Sequence, residues 1–373
     1  MKILQTIAGF GAHSGGTSTC TYDLLSALHR CGCDVDLLTL QSPDLMGKGE
    51  SWIKALPNDC VSSYGYSRNV RRFLSQTDYD LYHTNGLWLY SNHSTCKIAR
   101  DKGKPYIITP HGMLYPLALK RSYWKKLPLL QLWFNKDILQ ASCFHVTCMP
   151  EMEYVRKFGY KGPIALITNP VALPDYINTI TRENSKVRFG FLGRLHPVKK
   201  VENIFYAASL LDRTDFDLKI IGSGDPDYER FLRQEVARLG LSNVEFCGFV
   251  TGQEKYKLLA GLSALFVPSD FENFGMIVPE ALSVGTPVMA SLGTPWEELN
   301  THKCGWWCDR SPQSIAQVMI EVLNMSQSDL IAMGERGKQL VAQHYVAREV
   351  ANKMKSLYEW IVLGGIKPEF VYE

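Results

Sequence analysis

The sequence predicts an α/β protein of two domains, each built on a parallel β-sheet. At 373 residues the chain is about twice the length of a typical domain. Short apolar segments alternate with helix-length segments from Ile3 onwards, and this alternation starts afresh at Val187. Such alternation is typical of parallel sheets, in which ligands bind at the carboxyl ends of the strands.

The first half is predicted to begin with a strand at residues 3–7, a loop at 9–16 and a helix that ends near Arg30. Further strands are predicted at residues 35–40, 81–83, 106–109 and 143–147. In the second half, strands are predicted at residues 188–192, 218–221, 244–246, 264–267 and 288–290. The two halves meet at NPVALPDY, residues 169–176, where two prolines follow the end of the first alternation.

The composition is that of an ordinary globular protein, with 46% hydrophobic and 21% charged residues. A net charge of +3 is too small to indicate a nucleic-acid partner. Ten cysteines without a CxxC pair give no metal-ligand spacing and favour free thiols in a reducing cytoplasm. The start turns from apolar residues to glycine after Ile7, which indicates a strand and a loop instead of a secretory signal. No apolar run approaches the roughly 18 residues of a membrane span. We therefore expect a cytoplasmic protein.

The segment PSDFENFGMIVPEALSVGTPV, residues 268–288, is the most informative part of the chain. Glu272 and Glu280 stand eight positions apart around a Phe-Gly step, between the strand at 264–267 and a helix predicted at 275–284. Bare backbone N–H groups and the positive end of a helix dipole suit a phosphate there, and the two carboxylates suit hydroxyl groups beside it. Taken alone, two glutamates on a solvated helix are the plainer interpretation.

Three further motifs favour a ligand-binding role for the two glutamates over a solvated helix. Gly193-Arg194-Leu195 and then Lys199 precede the glutamate pair, and Gly285-Thr286-Pro287-Val288 follows it. In this order the motifs resemble those of the retaining glycosyltransferases of family 4, which have the GT-B fold. The resemblance implies two Rossmann-like domains that face each other across a cleft. It also implies an acceptor-side domain at residues 1–170, a nucleotide-sugar-binding domain at 171–346, and a C-terminal helix within 347–373 that crosses back to the first domain.

The resemblance also assigns roles to residues of the second domain. Arg194 and Lys199 are expected to bind the diphosphate of the donor, with charge-assisted hydrogen bonds to its oxygens. Glu272 is expected to contact and position the transferred sugar, and Glu280 to accept hydrogen bonds from the ribose. Further donor contacts are expected at Gly222, Phe249 and Val250 near the base, and at Phe274 and the N–H groups of Gly275, Met276 and Ile277. Lys200 stands where the family usually has glycine.

In the first domain the donor is expected to meet Gly15 and Gly16, which open the first helix and permit close backbone approach. His111, in TPHGML, is expected to contact the donor sugar, so that the catalytic set is Glu272, His111, Arg194 and Lys199. His83 and Asn85 end a strand and are expected to line the acceptor side. His13 and His145 are left unassigned.

No metal or other cofactor is expected. Arg194 and Lys199 already provide the positive charge that a metal ion would bring to the phosphates. DxD triplets occur four times in the chain, at Asp34/Asp36, Asp78/Asp80, Asp215/Asp217 and Asp225/Asp227, and a pattern that frequent is uninformative.

The segment KRSYWKKLPLLQLWFNKDIL, between Lys120 and Leu139, mixes basic residues and aromatics with leucines. One interpretation is peripheral contact with the cytoplasmic face of the inner membrane, where cations meet anionic headgroups. The other is a core helix with a solvated basic face, and the pattern leaves both open. The segments GTPWEEL at 293–299 and CGWW at 304–307 resemble bacterial members that build surface polysaccharides.

The resemblance therefore implies a retaining, metal-independent hexosyltransferase. It would transfer a hexose or N-acetylhexosamine from a UDP- or GDP-sugar to a glycan or lipid-linked glycan, in synthesis of a bacterial capsule or lipopolysaccharide. Two alternatives remain: a GT-B sugar-nucleotide epimerase or hydrolase, and a non-catalytic membrane-associated GT-B scaffold. Donor turnover without an acceptor would favour the first, and failure to bind a donor would favour the second.

Overall fold

The computed structural model describes residues 1–11, 15–62, 64–120, 123–180 and 186–373. Its strands are β1 (Lys2–Ile7), β2 (Asp34–Leu40), β3 (Ile53–Leu56), β4 (Leu81–Asn85), β5 (Tyr106–Thr109), β6 (Cys143–Val146), β7 (Ile164–Leu166), β8 (Val187–Leu192), β9 (Phe216–Ile221), β10 (Val244–Gly248), β11 (Ala264–Val267), β12 (Val288–Ser291), β13 (Gly305–Cys308) and β14 (Val371–Tyr372). Its α-helices are α1 (Gly16–Arg30), α2 (Arg68–Gln76), α3 (Tyr90–Asp101), α4 (Pro116–Lys120), α5 (Tyr123–Leu129), α6 (Asn135–Leu139), α7 (Met149–Lys157), α8 (Glu202–Ala208), α9 (Pro226–Arg238), α10 (Gly252–Ala260), α11 (Ile277–Ser283), α12 (Glu298–Thr301), α13 (Pro312–Asn324), α14 (Gln327–His344) and α15 (Ala347–Leu363).

The chain divides into two compact units. The first comprises Met1–Pro170 together with Ala347–Glu373, and the second comprises Val171–Val346. Each is an α/β unit built on a mainly parallel sheet, in which long crossover connections join one strand to the next. This confirms the predicted fold class.

The first unit contains an eight-stranded sheet in the order β14-β7-β6-β5-β4-β1-β2-β3, parallel except for the antiparallel pair β14–β7. The strand order reverses between β1 and β4, and the carboxyl edge at such a point is where open α/β sheets generally bind ligands. Apolar residues of α15, including Met354 and Leu357, are buried in one core with Leu24 and Leu28 of α1. The last long helix is therefore an integral part of this unit.

The second unit contains a six-stranded parallel sheet in the order β10-β9-β8-β11-β12-β13. Separate cores cover its two faces, one around Phe189 and Phe266 and the other around Leu265 and Trp296. Here the strand order reverses between β8 and β11. The loops that carry Arg194 and Glu272 leave the sheet on either side of that point, which is where open α/β sheets bind ligands.

One helix next to the candidate site and four short strands differ from the sequence prediction. Helix α11 begins at Ile277 and not at Gly275, because Gly275 has φ 80°, a value that an α-helix does not contain. The strands β3, β7, β13 and β14, of two to four residues each, were not expected; all four lie at or next to the edges of their sheets.

The segment between Lys120 and Leu139 is folded against the first unit. Arg121 lies outside the described residues, as do the side chains of Tyr123 and Lys125. Pro128 lies inside α5, and the chain continues into a π-helical turn at Leu130–Phe134, a distortion typical of a helix that loses a backbone donor. Phe134 and Ile138 are buried in the core. Among the described helices, none has the length and apolar character needed to cross a bilayer.

Candidate functional site

Lys199 and Glu272 form an ion pair at the carboxyl edge of the second unit. The Nζ of Lys199 donates to the Oε1 of Glu272, which also accepts a hydrogen bond of 3.0 Å from the Ser269 hydroxyl. Both charged side chains are largely shielded from solvent. The loops that carry them are joined through the backbone, because the Asp270 N–H donates to the Val198 carbonyl at 2.8 Å. The structure thus brings together two of the residues that the motifs single out.

Arg194 lies in the same loop as Lys199 and is exposed. Among the described residues it has no ion-pair partner, in contrast to Lys199. Its loop is hydrogen-bonded to the end of β9 and to the loop after it. The Gly193 N–H donates to the Ile221 carbonyl at 3.0 Å, and the Leu195 N–H donates to the Ser223 carbonyl at 3.1 Å. The guanidinium is therefore carried on a backbone that is fixed by hydrogen bonds.

Position 222 requires a glycine because these two loops approach each other closely there. It has φ 136°, and a Cβ at this position would lie 1.9 Å from the Gly193 carbonyl oxygen, a distance that no side chain can occupy. The Gly222 N–H in turn donates to the Gly248 carbonyl at 2.7 Å. Gly222 is thereby placed beside the start of the loop that carries Phe249 and Val250. Phe249 is 66% exposed.

Lys200, which stands where the family usually has glycine, adopts a backbone conformation that favours glycine. Its φ and ψ are 51° and 41°, in the left-handed region. This region costs a residue with a Cβ roughly 1 kcal/mol more than it costs glycine. Its ammonium lies 3.8 Å from carboxylate oxygens of both Asp270 and Glu202. The departure from the family pattern therefore leaves the turn intact and adds a paired charge.

Trp296 holds the turn between Glu272 and α11. It is fully buried, donates its indole N–H to the Phe274 carbonyl at 2.5 Å, and packs with its ring centroid 5.2 Å from that of Phe274. The side chain of Phe274 is itself buried, which corrects the expectation that it contacts the donor directly. Its contribution is to anchor the turn in which Gly275 exposes its backbone. The tryptophan of GTPWEEL thus has a structural role.

Glu280 lies on α11 and pairs with a residue that the motifs do not include. The Nζ of Lys255, on α10, donates to its Oε1 at 2.8 Å, and both side chains are mostly buried. The ammonium also lies 4.8 Å from the centroid of the Tyr256 ring. Lys255 was not identified from the sequence, because a lysine on an amphipathic helix has no distinguishing spacing.

In the first unit, Gly15 precedes α1 with φ 85° and is exposed, as is Gly16 at the first position of the helix. His13 lies outside the described residues. Gly15 and Gly16 therefore present backbone without side chains at the start of α1, the helix that follows β1.

His111 stands in a turn with an uncommon backbone conformation. Its φ is 49°, a value that few residues other than glycine adopt. The following Gly112 donates its N–H at 2.5 Å to the carboxylate of Glu151, which is fully buried and also accepts from the Thr147 N–H at 3.0 Å. Glu151 therefore holds the His-Gly turn in place. The Nε2 of His111 lies 3.0 Å from the Oδ1 of Asn85.

His83 and Asn85 point into the first unit, and the expectation that His83 lines an acceptor surface is wrong. His83 is 1% exposed, and its two ring nitrogens lie 2.9 Å from the Tyr358 hydroxyl and 2.6 Å from the Thr109 hydroxyl. Neither nitrogen remains for an outside ligand. His145, left unassigned from the sequence, lies 2.8 Å from the same Thr109 hydroxyl. Alternation in β4 could not reveal this, because β4 is buried on both faces.

Removal from water favours the neutral form of His83, His111 and His145. Removal from water lowers the pKa of His111 to about 3 and that of His145 to about 4, with the charge of His145 adding to the effect on His111. The same causes hold the pKa of His83 well below its usual value. Among the described residues, no three His, Cys, Asp or Glu side chains are arranged to hold a metal ion.

Two families match consecutive parts of this chain. The family described as Glycosyltransferase Family 4 matches residues 14–173, and the family described as Glycosyl transferases group 1 matches residues 175–340. Together they span both units.

Individual proteins that are similar to this chain are also named as glycosyltransferases. An uncharacterized glycosyltransferase of Methanocaldococcus jannaschii is 34% identical over 36% of this chain and 35% of its own length. The chain thus spans only about a third of that relative. The D-inositol 3-phosphate glycosyltransferase of Corynebacterium urealyticum is 28% identical over 94% of this chain and 92% of its own length.

Among solved structures, Anabaena HepE in complex with UDP and glucose matches 96% of this chain and 99% of its own with a TM-score of 0.75. At 17% identity this is a likeness of fold. The order of the motifs, the two parallel-sheet units and the two family matches lead to one conclusion: this chain belongs to the family 4 glycosyltransferases and has the GT-B fold.

Proposed function

We propose that this protein is a retaining glycosyltransferase that uses a nucleotide diphosphate sugar as donor. The observation that carries the proposal is the Lys199–Glu272 pair at the carboxyl edge of the second unit, beside the exposed Arg194. A cation that already holds a carboxylate can exchange it for a phosphate, and the released carboxylate can then accept hydrogen bonds from sugar hydroxyls. That HepE was solved with UDP and glucose supports this class of donor.

In the proposed reaction, the bond between the anomeric carbon and the diphosphate oxygen breaks while the acceptor oxygen bonds to the anomeric carbon on the same face. The acceptor proton passes to an oxygen of the leaving phosphate. Arg194 and Lys199 stabilise the negative charge that grows on the diphosphate, each by on the order of 1.5–3 kcal/mol. Since these two side chains supply the charge, the proposal includes no metal ion and no other cofactor.

Thermal stabilisation by nucleotides tests the donor class. A panel of UDP- and GDP-sugars and their diphosphates is titrated against the purified protein. A ligand at 100 times its dissociation constant should add about 2.7 kcal/mol to the free energy of unfolding. We expect one nucleotide family to raise the melting temperature and Arg194→Ala to abolish most of that shift without lowering the melting temperature of the free protein. Glu280→Ala should abolish most of the shift too, but it leaves the shielded Lys255 without its partner and should therefore also lower the melting temperature of the free protein. Glu335→Ala, which removes an exposed carboxylate on α14 of the same unit that pairs with the likewise exposed Lys338, serves as control.

No stabilisation by any nucleotide would favour the non-catalytic scaffold. Stabilisation accompanied by donor consumption without an acceptor would favour the epimerase or hydrolase. Full activity of both Arg194→Ala and Glu280→Ala would show that the site is wrongly placed.

For the acceptor, we propose a glycan or lipid-linked glycan of a bacterial surface polysaccharide, met at the cytoplasmic face of a membrane. The support lies in the segment between Lys120 and Leu139. Trp124 and Leu132 are 81% and 68% exposed, and Lys136 is exposed near them in sequence. Lys126, in contrast, donates to the Ala118 carbonyl and lies 5.6 Å from the centroid of the Trp88 ring, so it serves the unit's own packing.

Removal of the two exposed apolar side chains should therefore weaken membrane binding. We expect Trp124→Ser combined with Leu132→Ser to reduce the fraction bound to phosphatidylglycerol liposomes by more than about tenfold, since each apolar side chain loses its burial in the interface. Val61→Ser removes an equally exposed apolar side chain of the same unit and should leave binding unchanged. Equal binding by the double variant and the wild type in flotation assays would exclude this segment as the contact.

A further inference from the structure

The second unit contains a second shielded ion pair, between Lys255 and Glu280. The Nζ of Lys255 donates to the Oε1 of Glu280 at 2.8 Å, and 20% and 14% of the two side chains remain exposed. The residues come from two helices, because Lys255 lies in the first turn of α10 and Glu280 in the first turn of α11. Solvent still reaches both members of the pair, so a ligand can reach them as well.

The position of Lys255 is unfavourable for its own helix. Helix α10 begins at Gly252, so the ammonium of Lys255 belongs to the end where the helix dipole is positive and where acidic side chains are the stabilising ones. Glu280 has the favoured charge for its place in α11. Residues that oppose a local preference are expected at functional sites. Helix stability alone therefore does not account for a lysine at position 255.

The pair leaves hydrogen-bonding capacity unused on both of its members. An ammonium has three N–H donors. Within the described ranges, that of Lys255 meets a single acceptor, Glu280, and lies over a single ring, that of Tyr256, with 4.8 Å to the centroid. The Oε2 of Glu280 accepts a hydrogen bond from none of the described residues. A donor and an acceptor are thus available side by side.

A donor beside an acceptor suits a hydroxyl group, because a hydroxyl group itself both donates and accepts. The vicinal diol of ribose presents two such groups. A phosphate suits the place less well, since it has no proton to offer Glu280 and shares its charge. The place along the chain also suits a nucleoside, because α10 directly follows the loop that carries Phe249 and Val250, where the base is expected.

We propose that Lys255 determines specificity for the ribose of the donor. Its ammonium donates to the oxygen of the 2′-hydroxyl while Glu280 accepts from the ribose hydroxyls, so that the pair selects ribonucleotides over 2′-deoxyribonucleotides. The inference rests on the proposed function, in which Glu280 faces the ribose, and adds Lys255 to it. A ligand without the 2′-hydroxyl leaves a shielded donor without a partner, which disfavours its binding.

Calorimetric titration of the full chain with UDP and 2′-deoxy-UDP tests the proposal, or with GDP and 2′-deoxy-GDP if those are the ligands that bind. In the wild type we expect the deoxy ligand to bind roughly 10- to 100-fold more weakly. Lys255→Met should reduce this ratio of affinities to less than about threefold. Lys257→Met removes an exposed lysine of the same helix and should leave the ratio unchanged.

A purely structural ion pair leads to a different result. Loss of Lys255 would then weaken both ligands by the same factor, and the ratio would stay at its wild-type value. That result would overturn the proposal, as would a wild-type protein that binds the two ligands equally well.

A second background covers the case in which Lys255→Met fails to fold because the carboxylate of Glu280 is stranded. In Glu280→Gln no carboxylate remains at this position, and adding Lys255→Met should lower the ratio further. Equal ratios with and without Lys255 in that background would remove Lys255 from the ribose site. If neither UDP nor GDP binds the wild type, the proposed function fails, whereas binding with a ratio that is independent of Lys255 removes only the role of Lys255.

Discussion

Replacing Lys199 by methionine is expected to weaken the binding of a nucleoside diphosphate by roughly 10- to 150-fold, the equivalent of one charge-assisted hydrogen bond. Methionine is also unbranched, one heavy atom shorter than lysine, and it removes the charge and the hydrogen-bond donors. In the free protein the same change leaves Glu272 without its cation, and the Ser269 hydroxyl alone does not replace it. Stability should therefore fall as well, since a shielded charge loses its partner.

A second substitution separates these two effects. Glu272→Gln in the Lys199→Met background removes the unpaired charge, and we expect it to restore the free energy of unfolding without restoring affinity for UDP or GDP. Binding is measured by calorimetry, so that no acceptor is needed. A double variant that regains affinity would show that the stranded carboxylate, and not the loss of the lysine, repelled the ligand.

The neighbouring lysine provides a matched control. Lys200 lies in the same turn and its ammonium faces the carboxylates of Asp270 and Glu202 at 3.8 Å. Lys200→Met makes the same change in net charge, and as a loosely paired, partly exposed group it should alter affinity by less than about fivefold. Similar losses at both positions would indicate a general electrostatic effect and contradict a direct contact by Lys199.

Replacing Trp296 by alanine is expected to lower the free energy of unfolding by about 3–5 kcal/mol, the range for a large aromatic side chain removed from a core. The ring packs against both Phe274 and Tyr345, with centroids 5.2 Å away in each case. Its loss also leaves the Phe274 carbonyl without its donor. Since that carbonyl precedes Gly275, the turn that leads into α11 should loosen, and nucleotide binding should weaken in the same variant.

Trp307→Ala is the comparison for Trp296→Ala. Trp307 also donates its indole N–H to a backbone carbonyl, that of Thr294 at 2.9 Å, but its ring is only partly buried. We expect a smaller loss of stability and unchanged nucleotide binding. Urea unfolding followed by circular dichroism measures the first and calorimetry the second. Equal destabilisation by the two substitutions would contradict the assigned anchoring role.

Much of the candidate site in the second unit was accessible from the sequence. Arg194, Lys199, Glu272 and Glu280 belong to short motifs whose order and spacing are visible in a single chain. The strands at 106–109 and 264–267 were predicted with their observed bounds. Lys255 was not, because its partner Glu280 lies 25 positions away on another helix.

The amino-acid sequence by itself determined the α/β class, the point where the alternation restarts, and the motif residues at the carboxyl ends of β8 and β11. These properties depend on local periodicity and on short spacings. Only the tertiary structure decided that His83 is interior, that Trp296 anchors the Gly275 turn, and that Gln5 meets Tyr358 across 353 positions of sequence. The physical reason is that such contacts depend on the order in which strands and helices pack side by side, and no local pattern encodes that order.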